Sequence, residues 1–252
     1  MSAGRTDGAS SSSAFQTEDG LPVPAVTAAQ MLEIDRIAVE EFGLGILQMM
    51  ENAGRSLAEH VVDMLGRTAG KVVVLAGSGG NGGGGLCCAR HLHNRGIDVQ
   101  IALSKEIETL TGPARDQLHT LRVAELEPVV PSQAGDAIRR SQVVVDALIG
   151  YSLRGAPRGR VADLIHLCNQ HAAQVLSLDV PSGLDATTGK APGQVVRPDR
   201  TLTLALPKTG LRALRGEIYL ADIGIPPEVY QRLGLTFEFP SENRYWIRLW
   251  SR

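Results

Sequence analysis

Aromatic residues make up only 4% of this 252-residue chain, and cysteine occurs three times. No apolar run reaches the roughly 18–20 residues that a bilayer-spanning helix needs, so a membrane is not an expected partner. Cys87 and Cys88 are adjacent and Cys168 is distant. An odd count at that spacing makes a poor disulfide framework, and no C-x-x-C pair suggests zinc. All three are expected to be reduced and buried, which favours a cytoplasmic setting. Charge of one sign is also lacking. A net charge of -2 gives no general attraction to nucleic acid, so none is expected as a partner. The first twenty residues are rich in Gly and Ser, with a run at Ser10 to Ser13. They lack the apolar core of a secretory signal, and Asp7, Glu18 and Asp19 are foreign to a mitochondrial presequence. Residues 1–24 are read as a disordered tail.

What remains has the length and the composition, 43% hydrophobic and 21% charged, of one soluble α/β domain over residues 25–235. Thr27 is the expected N-cap of a first helix, with Met31, Ile34 and Ile37 on one stripe. A second helix is predicted over Ile46 to Leu65. The apolar run Val72 to Ala76 reads as a strand buried on both faces. A glycine-rich stretch, a helix from about Leu86 to Asn94 and a strand from Val99 to Leu103 complete a βαβ unit. The alternation continues with helices at Pro113 to Val123 and Arg160 to His171. Strands are predicted at Val143 to Leu148, Val175 to Asp179, Thr201 to Leu206 and Glu217 to Asp222. This order specifies a Rossmann-like three-layer α/β sandwich with a mostly parallel central sheet and helices on both faces. Residues 236–252 form a C-terminal tail that holds both tryptophans, Trp246 and Trp250. Its packing on the domain or on a partner is left open by the sequence.

Three chemically distinct features fall at the carboxyl ends of the predicted strands, where open α/β sheets bind ligands. One is Gly77-x-Gly79-x-x-Gly82, which matches the dinucleotide fingerprint and is followed by a helix whose first N–H groups suit a phosphate. The others are Asp146 and Asp179. Each aspartate either caps the loop that follows it or contacts a ligand. In the second case carboxylate oxygens suit a hard cation, or, in a dry pocket, an acid/base role. A nicotinamide dehydrogenase needs an acid near the end of the second strand to hold the ribose. Ser104 and Lys105 stand there instead, which weighs against that class. Arg154, Arg158 and Arg160 sit in a loop where they either meet phosphates or stay solvated. Lys208 either reaches the pocket or lies exposed on a turn. His91 and His93, two apart on a helix, point to different faces and are read as structural.

Several blocks, in order, resemble the YjeF N-terminal domain family, the NAD(P)H-hydrate epimerases. Gln48 to Arg55 resembles the family's LMENAGR block, and Gly77 to Leu86 its GPGNNGGDGL loop. Asp146 to Gly150 resembles DALFG, and Asp179 to Asp185 resembles DIPSGLD. Pro207-Lys208 and Ala221 to Pro226 are similar to the closing blocks. The resemblance covers about Val26 to Pro226. It implies an epimerase that interconverts the R and S forms of hydrated NADH and NADPH. It also implies a K+ ion held by Asn81, Asp146 and Ser182. The implied substrate contacts are Gly80, Asn81, Gly82, Gly83 and Gly84, then Gly150, Tyr151, Ser152, Leu153, Arg154, Gly155 and Ala156, with Asp179. Asp179 is the implied site of acid/base catalysis. Family members form dimers, so a homodimer is expected, with a separate NAD(P)HX dehydratase as metabolic partner. Gly80 and Gly84 stand where the family has Asn and Asp. That change is what an alternative reading, a non-catalytic nucleotide-binding or scaffold module, would rest on.

Overall fold

The computed structural model describes residues 15–67, 70–240 and 244–251. Two short strands, β1 (Phe15–Gln16) and β2 (Pro22–Val23), precede α1 (Ala28–Glu40) and α2 (Ile46–Leu65). Then come β3 (Lys71–Ala76), α3 (Gly80–His93), β4 (Asp98–Leu103), α4 (Gly112–Val123), α5 (Ala134–Arg140) and β5 (Val143–Ala147). The chain continues through α6 (Arg160–His171), β6 (Val175–Leu178), β7 (Arg200–Leu204), β8 (Glu217–Ala221), α7 (Pro227–Gln231) and β9 (Trp246–Ser251). Among the described residues, no helix is long and apolar enough to cross a membrane.

Among the described residues, the strands form one nine-stranded sheet in the order β2-β1-β9-β8-β7-β6-β5-β3-β4. The run from β4 through β8 is parallel, while β9, β1 and β2 add antiparallel pairs at one edge. The period-two geometry of β3 explains the layers. Val72 and Val74 face one core with Leu57 and Val61 of α2, Leu86 and Leu92 of α3, and Leu118 of α4. Val73 and Leu75 face the other, with Ile138 of α5 and Leu164 and Ile165 of α6. Further along that second face, Met31 and Ile34 of α1 and Val229 of α7 meet Ile218, Leu220, Ile247 and Leu249. This is the expected three-layer sandwich. Thr27 caps α1 as its sequence predicts: its Oγ1 accepts the Gln30 N–H at 3.2 Å, and Gln30 Oε1 accepts the Thr27 N–H at 2.9 Å.

Three expectations change. The run Ser10 to Ser13 lies outside the described residues, but the tail assigned to residues 1–24 contains ordered structure from Phe15. Phe15 is fully buried and pairs with Ser251 of β9, because β9 would otherwise offer an open edge. The residues of the C-terminal tail from Trp246 are a sheet strand beside β8. Finally, the helix expected from Leu86 begins six residues earlier, at Gly80. The glycines are the first turns of α3 and not a loop before it. A Cβ on Gly82 would lie 1.9 Å from the Gly77 carbonyl oxygen, and one on Gly85 would lie 2.5 Å from Ala147 Cβ. Only a bare backbone lets α3 start this close to the sheet.

The same constraint joins α2 to α3. A Cβ on Gly54 would lie 2.5 Å from Cys87 Sγ and 3.0 Å from the Cys88 nitrogen. Gly54→Ala is expected to cost about 1–3 kcal/mol by overpacking, read as a lower Tm. Beneath β9, His60 is buried between the rings of Tyr219 and Trp246 and accepts a bond from Arg200 at 3.2 Å. Burial, aided by the Arg200 charge, pulls its pKa down to about 3. The folded protein therefore binds fewer protons here than the unfolded chain below pH ~6.5. Stability is present above that value and is lost as pH falls toward 3. Urea midpoints across this window should fall more steeply for the native sequence than for His60→Phe.

Candidate active site

The carboxyl ends of β6 and β7 finish alike. Asp179 has a φ of 66°, and the Val180 N–H bonds back to the Leu178 carbonyl at 2.9 Å. Ala205 has a φ of 61°, and the Leu206 N–H bonds back to the Leu204 carbonyl at 2.7 Å. A side-chain-bearing residue in the left-handed region carries about 1–3 kcal/mol of strain and persists only where its surroundings hold it. The hold on Asp179 is strong. Its N–H bonds to the Leu202 carbonyl at 2.7 Å. Its Oδ1 meets the Lys208 ammonium at 2.5 Å, and its Oδ2 accepts the Tyr151 N–H at 3.0 Å. Both members of the ion pair are buried.

Lys208 is positioned from the chain ahead of α1. The Val26 N–H bonds to the Pro207 carbonyl and the Val26 carbonyl accepts the Thr209 N–H, each at 2.9 Å. The Lys208 ammonium also donates to the Leu204 carbonyl at 2.8 Å and lies 5.9 Å from the Tyr151 ring centre. The Tyr151 hydroxyl in turn donates to Asp35 Oδ2 at 2.5 Å. Burial pushes the Asp35 carboxyl above its ordinary range, against the Tyr151 bond and the Lys208 charge. Burial also raises the Tyr151 phenol, as does the neighbouring Asp35 carboxylate.

These groups border a cavity of about 220 Å³. Met31, Met49, Met50, Ala53, Leu178 and Ile223 give it apolar walls. Asp35, Asn81, Tyr151, Asp179 and Lys208 supply the polar groups. Gly80, Gly84, Gly150 and Ser152 complete the expected residues on its wall. Gly150 is glycine for a local reason: a Cβ there would lie 2.9 Å from Asp179 Oδ2 and 3.1 Å from Asn81 Oδ1. Gly82 and Gly83 do not line the cavity. They are spent on packing, with a Cβ on Gly83 falling 2.7 Å from Met50 Sδ. Leu153, Arg154, Gly155 and Ala156 also lie off its wall. Arg154 and Arg158 are exposed, and Arg160 pairs with Glu106 at 2.5 Å.

Asp146 and Ser182 do not line the cavity. Asp146 is fully buried, and its carboxylate takes Ser182 Oγ at 2.5 Å, the Ser182 N–H at 2.9 Å, Ser177 Oγ at 2.8 Å and the Leu148 N–H at 3.4 Å. Ser182 Oγ also accepts the Ile149 N–H at 2.9 Å. Burial raises the Asp146 pKa against those bonds. No basic side chain is among its partners in the described residues. Of the readings open at Asp146, holding the following loops is the one its bonds display. On the cavity wall, Asn81 Nδ2 is buried without a hydrogen-bond partner among the described residues.

Elsewhere among the described residues, one further group brings metal-type donors together: Glu51, Cys87 and His91. It is already satisfied. Arg90 bonds to Glu51, and His91 Nε2 meets Glu51 at 2.8 Å. Burial, with the Glu51 charge, pushes the Cys87 thiol up to about 12. The structural reading of His91 fits these bonds. All three cysteines are free and buried, as expected.

Fold and cavity together define a doubly wound α/β protein with a ligand-sized site where a glycine-opened helix meets the carboxyl ends of parallel strands. Residues 46–210 match the family described as YjeF-related protein N-terminus. An NAD(P)H-hydrate epimerase of Dehalogenimonas lykanthroporepellens is 49% identical over 93% of this chain and 96% of its own length. One of Rhodopirellula baltica is 34% identical over 85% of this chain and 90% of its own. A bifunctional NAD(P)H-hydrate repair enzyme of Salinibacter ruber is 38% identical over 85% of this chain, which spans 43% of that longer protein. The crystal structure of yeast ynu0 shares the fold with a TM-score of 0.81 at 24% identity, covering 90% of this chain and all of that one. The chain belongs to the YjeF N-terminal family.

Two charged residues of the cavity escaped the sequence reading in different ways. Lys208 was open between the pocket and an exposed turn, and it is 1% exposed in the pocket wall. Asp35 was not singled out, although a carboxyl four residues after Met31 falls on the apolar stripe of α1. Removing one partner of the buried pair leaves the other charge uncompensated. Lys208→Met is expected to destabilise the protein by about 3–5 kcal/mol, measured by urea unfolding. Lys208→Met combined with Asp179→Asn is expected to recover part of that loss.

Proposed function

We infer that this protein is an NAD(P)H-hydrate epimerase, which interconverts the R and S epimers of hydrated NADH and NADPH. The relatives that align along nearly all of this chain and their own length carry that name. The observation that supports it at the level of chemistry is Asp179. It is a buried carboxylate on the wall of an apolar cavity, beside the glycine start of α3. The leading N–H groups of α3 suit the substrate's phosphates. The apolar walls suit the hydrated nicotinamide ring. Gly80, Asn81, Gly84, Gly150, Tyr151 and Ser152 are the proposed substrate contacts nearest the ring. Gly82 and Gly83 belong to the same helix start. Leu153 to Ala156 would meet the substrate outside the cavity.

Epimerisation requires the hydroxyl on the hydrated carbon to leave one face and water to return on the other. Asp179 is the proposed acid/base group for that exchange. Lys208 and the Tyr151 N–H fix its orientation. Asn81, Asp146 and Ser182 would hold K+. The donors fit a hard cation, and a fully buried carboxylate bonded only to hydroxyl and N–H groups lacks a compensating positive charge. When bound, the ion supplies that charge and ties the loops after β3, β5 and β6 together.

The relatives described as bifunctional NAD(P)H-hydrate repair enzymes support an NAD(P)HX dehydratase as the metabolic partner in a cytoplasmic repair of nicotinamide nucleotides. Exposed Leu32, Phe42, Ile46 and Leu47 around the α1–α2 junction suit a homodimer contact. Purified protein mixed with the R epimer is expected to form the S epimer faster than the spontaneous reaction, and faster still with K+, followed by chromatography. Asp179→Asn should lower the rate at least 100-fold or so, measured at a temperature where circular dichroism shows this destabilised variant still folded. No acceleration by the native sequence would leave a non-catalytic binding or scaffold module, the reading that Gly80 and Gly84 favour.

A further inference from the structure

The cavity holds a second carboxyl group that the epimerase reading does not use. Asp35 comes from α1, and it borders the same space as Asp179. One tyrosine spans the two acids: the Tyr151 N–H donates to Asp179 Oδ2 and the Tyr151 hydroxyl to Asp35 Oδ2. The two carboxyls are therefore held apart by the length of a tyrosine side chain. They are also held differently. Both Asp179 oxygens are occupied, one by an ammonium group. Asp35 has one oxygen on the Tyr151 hydroxyl, and no bond to its other oxygen is found among the described residues.

We propose that Asp35 is a second catalytic residue of this site, and that Asp35 and Asp179 serve opposite faces of the hydrated ring carbon. This inference rests on the epimerase reading. An inversion at one carbon by loss and return of a hydroxyl needs a proton delivered on one face and a proton removed on the other. In one direction, the Asp35 carboxyl gives its proton to the departing hydroxyl and the C–O bond breaks. Water leaves, and the ring-nitrogen lone pair forms the C=N bond. Water then attacks the opposite face, its new C–O bond returns the electron pair to nitrogen, and its surplus proton passes to the Asp179 carboxylate. The enzyme is left with the proton on Asp179, which is the state that runs the reverse epimerisation. Exchange with solvent through the open cavity resets it.

Burial raises the Asp35 pKa, the direction that favours a proton donor, against the Tyr151 bond and the Lys208 charge. The groups facing Asp35 are the Tyr151 hydroxyl, Lys208 and Asp179 around the cavity, and Tyr230 of α7. None of them is a proposed K+ ligand.

The test is steady-state epimerisation of the R form by the native protein, Asp35→Asn and Asp35→Glu, each across pH, with folding checked by circular dichroism. The native protein must first turn over; if it does not, the epimerase reading falls and this inference falls with it. Given turnover, folded Asp35→Asn is expected to lose about 100-fold or more in kcat with KM little changed. The alkaline fall in kcat that reports an acid should vanish with it, and Asp35→Glu should regain at least part of the rate. A kcat for Asp35→Asn within threefold of native overturns the proposal. So does a slower variant that keeps the alkaline fall, because that marks a structural role. If Asp35→Asn does not fold, Asp35→Glu decides: a moved alkaline midpoint supports the proposal, and an unmoved one overturns it.

Discussion

A carboxylate and an ammonium group taken out of water must meet each other or raise the energy of the fold by several kcal/mol. Asp179 and Lys208 meet at 2.5 Å, and much of the architecture is arranged around that contact. Lys208 reaches it because the segment before α1 pins Pro207 and Thr209. Asp179 reaches it because the chain turns through a left-handed conformation directly after β6. The strain of that turn would relax without the pair and the Tyr151 N–H. The contact thus couples the N-terminal helices, the end of β6 and the loop after β5 into one site.

The second constraint is close approach. α3 begins at Gly80, with the Gly77 carbonyl and Ala147 already where side chains would be. The glycines bring the leading N–H groups of the helix to the rim of the cavity. They also let α2 lie against α3 at Gly54, which carries Met49, Met50 and Ala53 into the wall. The apolar lining and the helix start at the rim of the cavity follow from the same packing. Gly84 illustrates the link: a Cβ there would come within 2.9 Å of Leu178 Cδ2, on the cavity floor, whereas one on Gly80 would meet open space. The two departures from the family loop are therefore unequal. The one at Gly80 leaves an open rim, and the one at Gly84 spares a crowded floor.

The parallel sheet was legible because its strands are short apolar runs separated by amphipathic helices, and α2 and α6 have the bounds that their patterns predict. The edge strands were not. β1 and β2 are two residues each, too short for a periodic signal, and they exist because β9 presents a row of unpaired backbone groups. The start of α3 was misread because seven glycines carry no helix propensity. Tertiary packing supplies what propensity lacks. At the site, residues on strand ends stood out, since strand ends gather ligands in this architecture. Asp35 did not, because the apolar stripe of α1 signals only that it turns inward, while its place in the cavity depends on how α1 crosses the sheet.

Asp146 shows how the two constraints divide the work of the site. It is adjacent in the sheet to the strand that carries Asp179 and is equally withdrawn from water, yet the protein gives it hydroxyl and N–H donors in place of a cation. Hydrogen bonds to a carboxylate stabilise it less than an ion pair does in the same surroundings. A site that places one buried acid against a lysine and leaves its neighbour without one separates two tasks. The paired acid is oriented by an ion pair, while the unpaired one is held by hydroxyl and N–H donors alone and anchors the loops after β5 and β6. Had Lys208 been shared between them, neither acid would keep a fixed geometry, and the loops after β5 and β6 would lose the separate anchors that hold Tyr151 and Ser182 in place.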